Sequence, residues 1–262
     1  DDCREAMSIE VVRNGAILEV TINRPKANAI DAATSREMSS VFDSFMRDPE
    51  LRVAILTGSG TKFFSAGWDL SAANDGESFE SDYGVGGFGG ISELKFRPKP
   101  VIAAVNGMAV GGGFEIALAA DLIVAADHAE FFLPEATLGL IADNATIRLP
   151  RVVPPNVARE MLISGRRMSA TEAKSWGIVN QVSTSDDLMT TARQLAEKIC
   201  LSAPLSVAAV LDLIRQLETV STDDAMSVLR SNPTYRAAIE SQDAAEGTKA
   251  FAEKRAPKWQ GK

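Results

Sequence analysis

The sequence predicts an α/β protein, and three observations carry that expectation. The chain opens on two β-branched runs joined by a turn dipeptide. Three later apolar runs show no alternation, as strands buried on both faces do, and amphipathic helical stripes lie between and after them. With 262 residues, 45% hydrophobic and 24% charged, there is enough apolar matter for one large domain or a domain with an appendage.

In order, residues 9–12 and 16–22 flank Asn14-Gly15, which tolerates positive φ at both turn positions, so they read as a hairpin. From Asp31 as cap, Met38, Val41, Phe42, Phe45 and Met46 recur at helical spacing until Asp48-Pro49. The buried strands are expected at 53–56, 101–105 and 122–126, the first two leading into glycine-bearing loops at 64–69 and 106–113. Between those loops, 72–90 is acidic, glycine-rich and long for a plain connection, and it reads as a lid or pocket rim. After Pro150 the chain is expected to turn helical. Ser169 with Glu172 fits a capping box closed by Gly177, and Leu188, Ala192, Leu195, Ala196 and Ile199 form one stripe. Pro204 restarts a helix with Val207, Val210, Leu211, Ile214 and Leu217 on one face. A short third helix follows Thr222, with Ala225, Met226 and Leu229 expected inward, and no repeat of fixed period is evident.

A net charge of −8 argues against a nucleic-acid partner. Cys3 and Cys200 are too far apart in sequence to read as a disulfide framework or a metal-ligand pair, and no apolar run is long enough to span a bilayer. The acidic opening lacks the order of a signal peptide, which makes the cytoplasm the expected location, and the six residues before Met7 are set aside from the fold.

Chemistry concentrates at Gly111-Gly112-Gly113-Phe114-Glu115, where free helix-start N–H groups and a carboxylate fall within one turn, an arrangement that suits a developing oxyanion. A flexible turn carrying an acid that suits the helix dipole is the other reading. Glu135, after Phe131-Phe132 and Pro134, is a second acid in apolar surroundings, and a turn cap or salt-bridge partner remains open for it. Residues 84–89 match G-x-G-x-x-G but follow an acidic loop where a dinucleotide site needs a strand, and His128, the only histidine, lies in a polar turn. No phosphate-loop motif or histidine-rich zinc site exists, so carboxylates and backbone are left to do the work.

Several motifs in order resemble the crotonase, or enoyl-CoA hydratase/isomerase, superfamily over nearly the whole chain. They are Asn23-Arg24-Pro25-Lys26-Ala27-Asn28-Ala29-Ile30, Phe64-Ser65-Ala66-Gly67-Trp68-Asp69-Leu70, the stretch from Asn106 to Glu115, and Leu133-Pro134-Glu135-Ala136-Thr137-Leu138-Gly139. The resemblance implies a crotonase-like ββα spiral core over 7–200 and a C-terminal α-helical oligomerisation region over 201–262. It implies an oxyanion hole from the N–H groups of Trp68 and Gly112, and catalytic acids Glu115 and Glu135. Substrate or CoA contacts would come from Arg24, Lys26, Ala27, Ala29, Ala66, Asp69, Leu70, Tyr83, Phe88 and Lys254. No metal and no permanently bound cofactor are implied, coenzyme A entering as part of the thioester, and the expected assembly is a homotrimer or dimer of trimers. Residues 65–70, 83–88 and 251–255 resemble the branch that interconverts crotonobetainyl-CoA and carnitinyl-CoA, and Trp68, Tyr83 and Phe88 suit a trimethylammonium tail.

One segment departs from the family. Hydratases commonly read Pro-x-x-Gly-Gly before Arg-Leu-Pro, whereas residues 141–147 here lack the proline and the glycine pair and are one residue shorter. Side chains at Asn144 and Ala145 would then crowd the acids, and Asp143 is either a third acid in the pocket or a turn cap. The resemblance implies reversible hydration of a 2,3-enoyl-CoA thioester, and enoyl-CoA isomerase, acyl-CoA hydrolase and a non-catalytic acyl-CoA-binding homologue stay open beside it.

Overall fold

The opening hairpin pairs β1 (Ile9–Asn14) with β2 (Ile17–Ile22), Asn14 standing opposite Ile17. Only Gly15 in the turn has positive φ, +59°, so the reversal is made by Gly15-Ala16 rather than by Asn14-Gly15. The structure, a computed structural model, describes residues 8–262; Cys3 and Met7, the expected start of the core, lie outside the described residues.

Asp31 caps α1 (Ala32–Arg47) as expected: the Thr34 N–H donates to its Oδ1 at 2.7 Å. Met38, Phe42, Phe45 and Met46 are buried along its inner face. The three unalternating runs form β3 (Val53–Gly58), β5 (Val101–Val105) and β7 (Leu122–Ala126) at the centre of a six-stranded sheet, with the short β4 (Phe63–Ser65), α2 (Leu70–Asn74), β6 (Met108–Val110), α3 (Gly112–Ala119) and β8 (Glu130–Phe132) interleaved. Every residue of β3 and β5 is buried, as expected for parallel strands covered on both sides.

Beyond β8 come α4 (Asp143–Val152), α5 (Pro155–Ser164), β9 (Met168–Ser169), α6 (Ala170–Ser175), β10 (Gln181–Ser183) and α7 (Leu188–Cys200). The chain ends with α8 (Pro204–Leu217), α9 (Thr222–Ser231), α10 (Pro233–Ile239) and α11 (Gln242–Ala252). The large sheet has the order β1-β2-β3-β5-β7-β10, parallel apart from the β1–β2 hairpin. A second sheet, β4-β6-β8-β9, is built from strands of two or three residues, β4, β6 and β8 running parallel. Each of these three strands lies a few residues beyond a strand of the large sheet. The chain thus winds from the large sheet to the small one and back three times, at β5, β7 and β10.

Four expectations need correction. Helix begins at Asp143, not after Pro150, which lies inside α4. Ser169 does cap α6, but the Glu172 carboxylate binds the Arg166 guanidinium at 2.8 Å instead of returning to the cap. Met226 is 53% exposed, because the C-terminal helices enclose only a small cluster of Ala209, Leu213 and Ala238. Five helices, not three, follow β10. Among the described residues no helix is long and apolar enough to cross a membrane.

Asn28, 3% exposed and with φ +50°, fastens the 24–30 loop to the sheet. Its Nδ2 donates to the Ser59 and Phe63 carbonyls at 3.0 Å each, and its Oδ1 accepts from the Arg24 N–H at 3.2 Å. Alanine there removes all three hydrogen bonds of this buried side chain and tolerates the left-handed backbone poorly. Asn28→Ala is expected to destabilise the fold by about 2–4 kcal/mol, read by urea denaturation.

Candidate active site

The small sheet delivers the candidate residues. Ala66-Gly67-Trp68 follow β4, Gly111-Gly112 follow β6, and Pro134-Glu135 lie just past β8, so three neighbouring parallel strands end at one place. Ligand sites at the carboxyl ends of parallel strands arise in this way. Gly67 has φ +80°, and a Cβ on it would lie 2.7 Å from the Gly112 nitrogen and 2.8 Å from the Val110 carbonyl oxygen. The two loops touch backbone to backbone. Gly111, with φ +53°, is the residue before α3 and has room for no Cβ beside the Glu135 carboxylate.

This contact leaves the amides of Trp68 and Gly112 free. Gly112 is the first residue of α3, whose opening N–H groups have no intrahelical acceptor. Among the described residues neither amide donates to any backbone or side-chain oxygen, whereas the flanking Gly67, Asp69, Gly111 and Glu115 amides all do. The Trp68 indole is fixed by donation from its Nε1 to Glu77 Oε1 at 2.8 Å and by an edge-on stack with Phe79, ring centroids 5.3 Å apart.

Glu115 is 7% exposed and its Oε1 accepts from the Ala145 N–H at 2.9 Å, in the first turn of α4. Burial pushes its carboxyl up to about 7; the Ala145 amide opposes that shift, and the charges of Asp143 and Glu135 add to it. Glu135 is raised as well, by burial first and then by Asp143, and its Oε2 is buried with no hydrogen-bond partner. The expected crowding by the 141–147 segment does not occur at Ala145. Its side chain is fully buried in the core while its backbone serves Glu115, and only Asn144 of the two faces the pocket.

These groups line one cavity of about 440 Å³. Of the sequence-selected residues, Ala66, Trp68, Leu70, Tyr83, Phe88, Gly112, Glu115 and Glu135 are on its wall. The others are not. Arg24 is committed elsewhere, its guanidinium donating to the Ala29 carbonyl at 2.6 Å and pairing with Asp31 at 2.7 Å and Asp69 at 3.2 Å. Asp69 also caps α2 through the Ser71 N–H. Lys26 is exposed at φ +73°, and Ala27 supports the wall from behind by accepting the Ala66 N–H at 2.9 Å. Lys254 lies past α11, away from the cavity. Sequence reasoning missed Phe79, Glu80 and Glu93 on the wall. The rim reading of 72–90 pointed to the segment that holds the first two, but no periodicity singled them out.

The family model for enoyl-CoA hydratase/isomerase matches residues 12–262. The chain belongs to the enoyl-CoA hydratase/isomerase family. It is 54% identical to carnitinyl-CoA dehydratase of Escherichia coli strain K12, over 97% of this chain and 99% of that protein. It is 53% identical to carnitinyl-CoA dehydratase of Salmonella arizonae, over 97% and 98%. The crystal structure of enoyl-CoA hydratase from Mycobacterium tuberculosis H37Rv superposes with a TM-score of 0.90 at 40% identity, covering 97% of this chain and 99% of that one. The crotonase-like architecture expected from the motifs is therefore the one observed.

Burial of Glu115 links stability to pH. With a folded-state pKa of about 7 against an ordinary 4.5, the carboxyl stabilises the fold fully below pH 4.5 and loses that contribution as pH rises through 7. The cost of ionising it is on the order of 3 kcal/mol. Glu115→Gln removes the titration, so urea denaturation at pH 5 and pH 9 should show the variant gaining stability relative to the unsubstituted protein by up to that amount at the higher pH.

Proposed function

We propose that the protein catalyses reversible addition of water across a 2,3-enoyl-CoA thioester, with crotonobetainyl-CoA and carnitinyl-CoA as its substrate pair. The observation that carries the reaction is the convergence of two free backbone amides and two carboxyls of raised pKa on one cavity. The Trp68 and Gly112 amides hold the thioester oxygen as charge develops on it, each donor contributing on the order of 3 kcal/mol to the transition state. Glu115 and Glu135 position and deprotonate the water whose oxygen bonds to Cβ, and Glu135 returns a proton to Cα, so the elements of water are fully accounted for. A carboxyl with a pKa of about 7 suits proton exchange near neutrality.

Two acids on the wall favour hydration over isomerisation or thioester hydrolysis by a single base. The substrate pair is supported by the names of the relatives sharing 53–54% identity and by two edge-on aromatic pairs, Trp68–Phe79 and Tyr83–Phe88. Rings of this kind hold quaternary ammonium groups. Coenzyme A enters as part of the substrate. The exposed apolar side chains Val210, Ile214 and Met226 on α8 and α9 suit contacts between copies in a homotrimer or a dimer of trimers.

Mass-resolved turnover of crotonyl-CoA and crotonobetainyl-CoA should show a gain of 18 mass units on both, with Glu115→Gln and Glu135→Gln each slower by about 10²–10⁴-fold. Unchanged turnover in both variants rejects the two-acid mechanism. Binding of acyl-CoA without turnover of either substrate leaves a binding protein. Light scattering should give three or six copies, and a monomer rejects the assembly.

A further inference from the structure

The cavity wall carries five carboxylates, Glu80, Glu93, Glu115, Glu135 and Asp143, and no lysine or arginine. Two of these are the acids of the reaction. Asp143 stands out among the rest, because it is the first residue of α4 and reaches the cavity from the same helical turn whose Ala145 amide holds Glu115. Its hydrogen bonds are local: Oδ1 accepts from the Asn144 N–H at 2.6 Å and from Asn144 Nδ2 at 3.3 Å. Among the described residues it forms no ion pair with any lysine or arginine. A carboxylate at a helix start suits the dipole, but that does not explain why it faces an aromatic-lined cavity.

Its electrostatic reach is visible on its neighbours. The Asp143 charge contributes to the raised pKa of Glu115, of Glu135 and of Tyr83, and it acts on Glu115 more strongly than Glu135 does. Asp143 lines the same cavity as both reacting acids and the aromatic wall. In a 2-enoyl thioester ending in trimethylammonium, the nitrogen stands two bonds beyond Cβ. Water held by Glu115 and Glu135 fixes where Cβ must be, and so the cation comes to rest within the field of whatever charge adjoins them.

We propose that Asp143 determines specificity for a cationic acyl tail, its carboxylate facing an ammonium group seated against the Trp68, Phe79, Tyr83 and Phe88 rings. This rests on the hydratase reading above. The cavity is the one already described; the new element is the residue that sets its charge preference. Carboxylate and ring faces act together, the rings replacing the hydration of the methyl groups and Asp143 supplying the opposite charge.

The test compares kcat/KM for crotonobetainyl-CoA with that for 5,5-dimethylhex-2-enoyl-CoA, its neutral isostere, in the full chain and in Asp143→Asn and Asp143→Glu. Asparagine keeps an Oδ1 acceptor for the Asn144 amide, so the start of α4 is preserved. The ratio of cationic to neutral substrate should fall about tenfold in Asp143→Asn, equivalent to about 1.4 kcal/mol, and recover in part in Asp143→Glu. Equal losses on both substrates, or an unchanged ratio, overturn the assignment while leaving hydration intact. Turnover of neither substrate by the unsubstituted protein overturns the hydratase reading itself, and this inference with it.

Discussion

The site depends on a backbone contact between two loops, Gly67 against Gly112. Only chains without Cβ atoms there can come so close, and that approach brings together the two loops whose Trp68 and Gly112 amides donate to no oxygen among the described residues. The contact is imposed from below. β3 and β5 are neighbours in the large sheet, buried on both faces, and their register is fixed from Ala54–Val101 to Thr57–Ala104. β4 and β6 then pair in the small sheet, which brings Ser65 opposite Ala109. Two strand registers therefore determine the position of two amides. Asn106 locks the exit further, its Oδ1 accepting from the Gly58 N–H at 3.0 Å and its Nδ2 donating to the Gly60 carbonyl at 2.7 Å.

Electrostatics at Glu115 is a contest with a clear winner. The Ala145 amide favours the charged carboxylate, whereas burial and the charges of Asp143 and Glu135 oppose it. The net rise, from 4.5 to about 7, shows desolvation prevailing. The fold keeps this strained acid because α4 begins where it does. Without the helix start, Glu115 would lose its one amide donor and its burial would be costlier still. The departure at 141–147 thus has a structural answer, because the function that close backbone approach would serve is met by an N–H of α4.

What was legible in the sequence follows from element size. Strands of five or six wholly apolar residues and a capped helix such as α1 announce themselves, as do the motifs of the two glycine loops. The small sheet does not, because β4, β6, β8 and β9 have two or three residues each, too few for period two to show. That sheet is what turns separate motifs into one site. Sequence separation hid the approach of Glu135 to Gly111, and it hid the commitment of Arg24 to Asp31 and Asp69, which needs three loops folded together. The stripe of α8 shows in the sequence as apolar, but periodicity tells which residues share a face and not what covers it, and Val210 and Ile214 are exposed on this chain.

The charge of Asp143 contributes both to the acidity of the cavity and, after burial, to the raised pKa of Glu115, and that gives substrate charge a second consequence. Burial is the main cause of the raised Glu115 pKa, and the charge of Asp143 adds to it. An ammonium group placed beside Asp143 offsets its field at Glu115 and favours the carboxylate that receives a proton from water. A neutral acyl tail exerts no such effect. Under the proposed assignment, binding of a cationic tail acts on the proton-transfer step as well as on affinity, through residues of one short segment, 143–145, lying against Glu115.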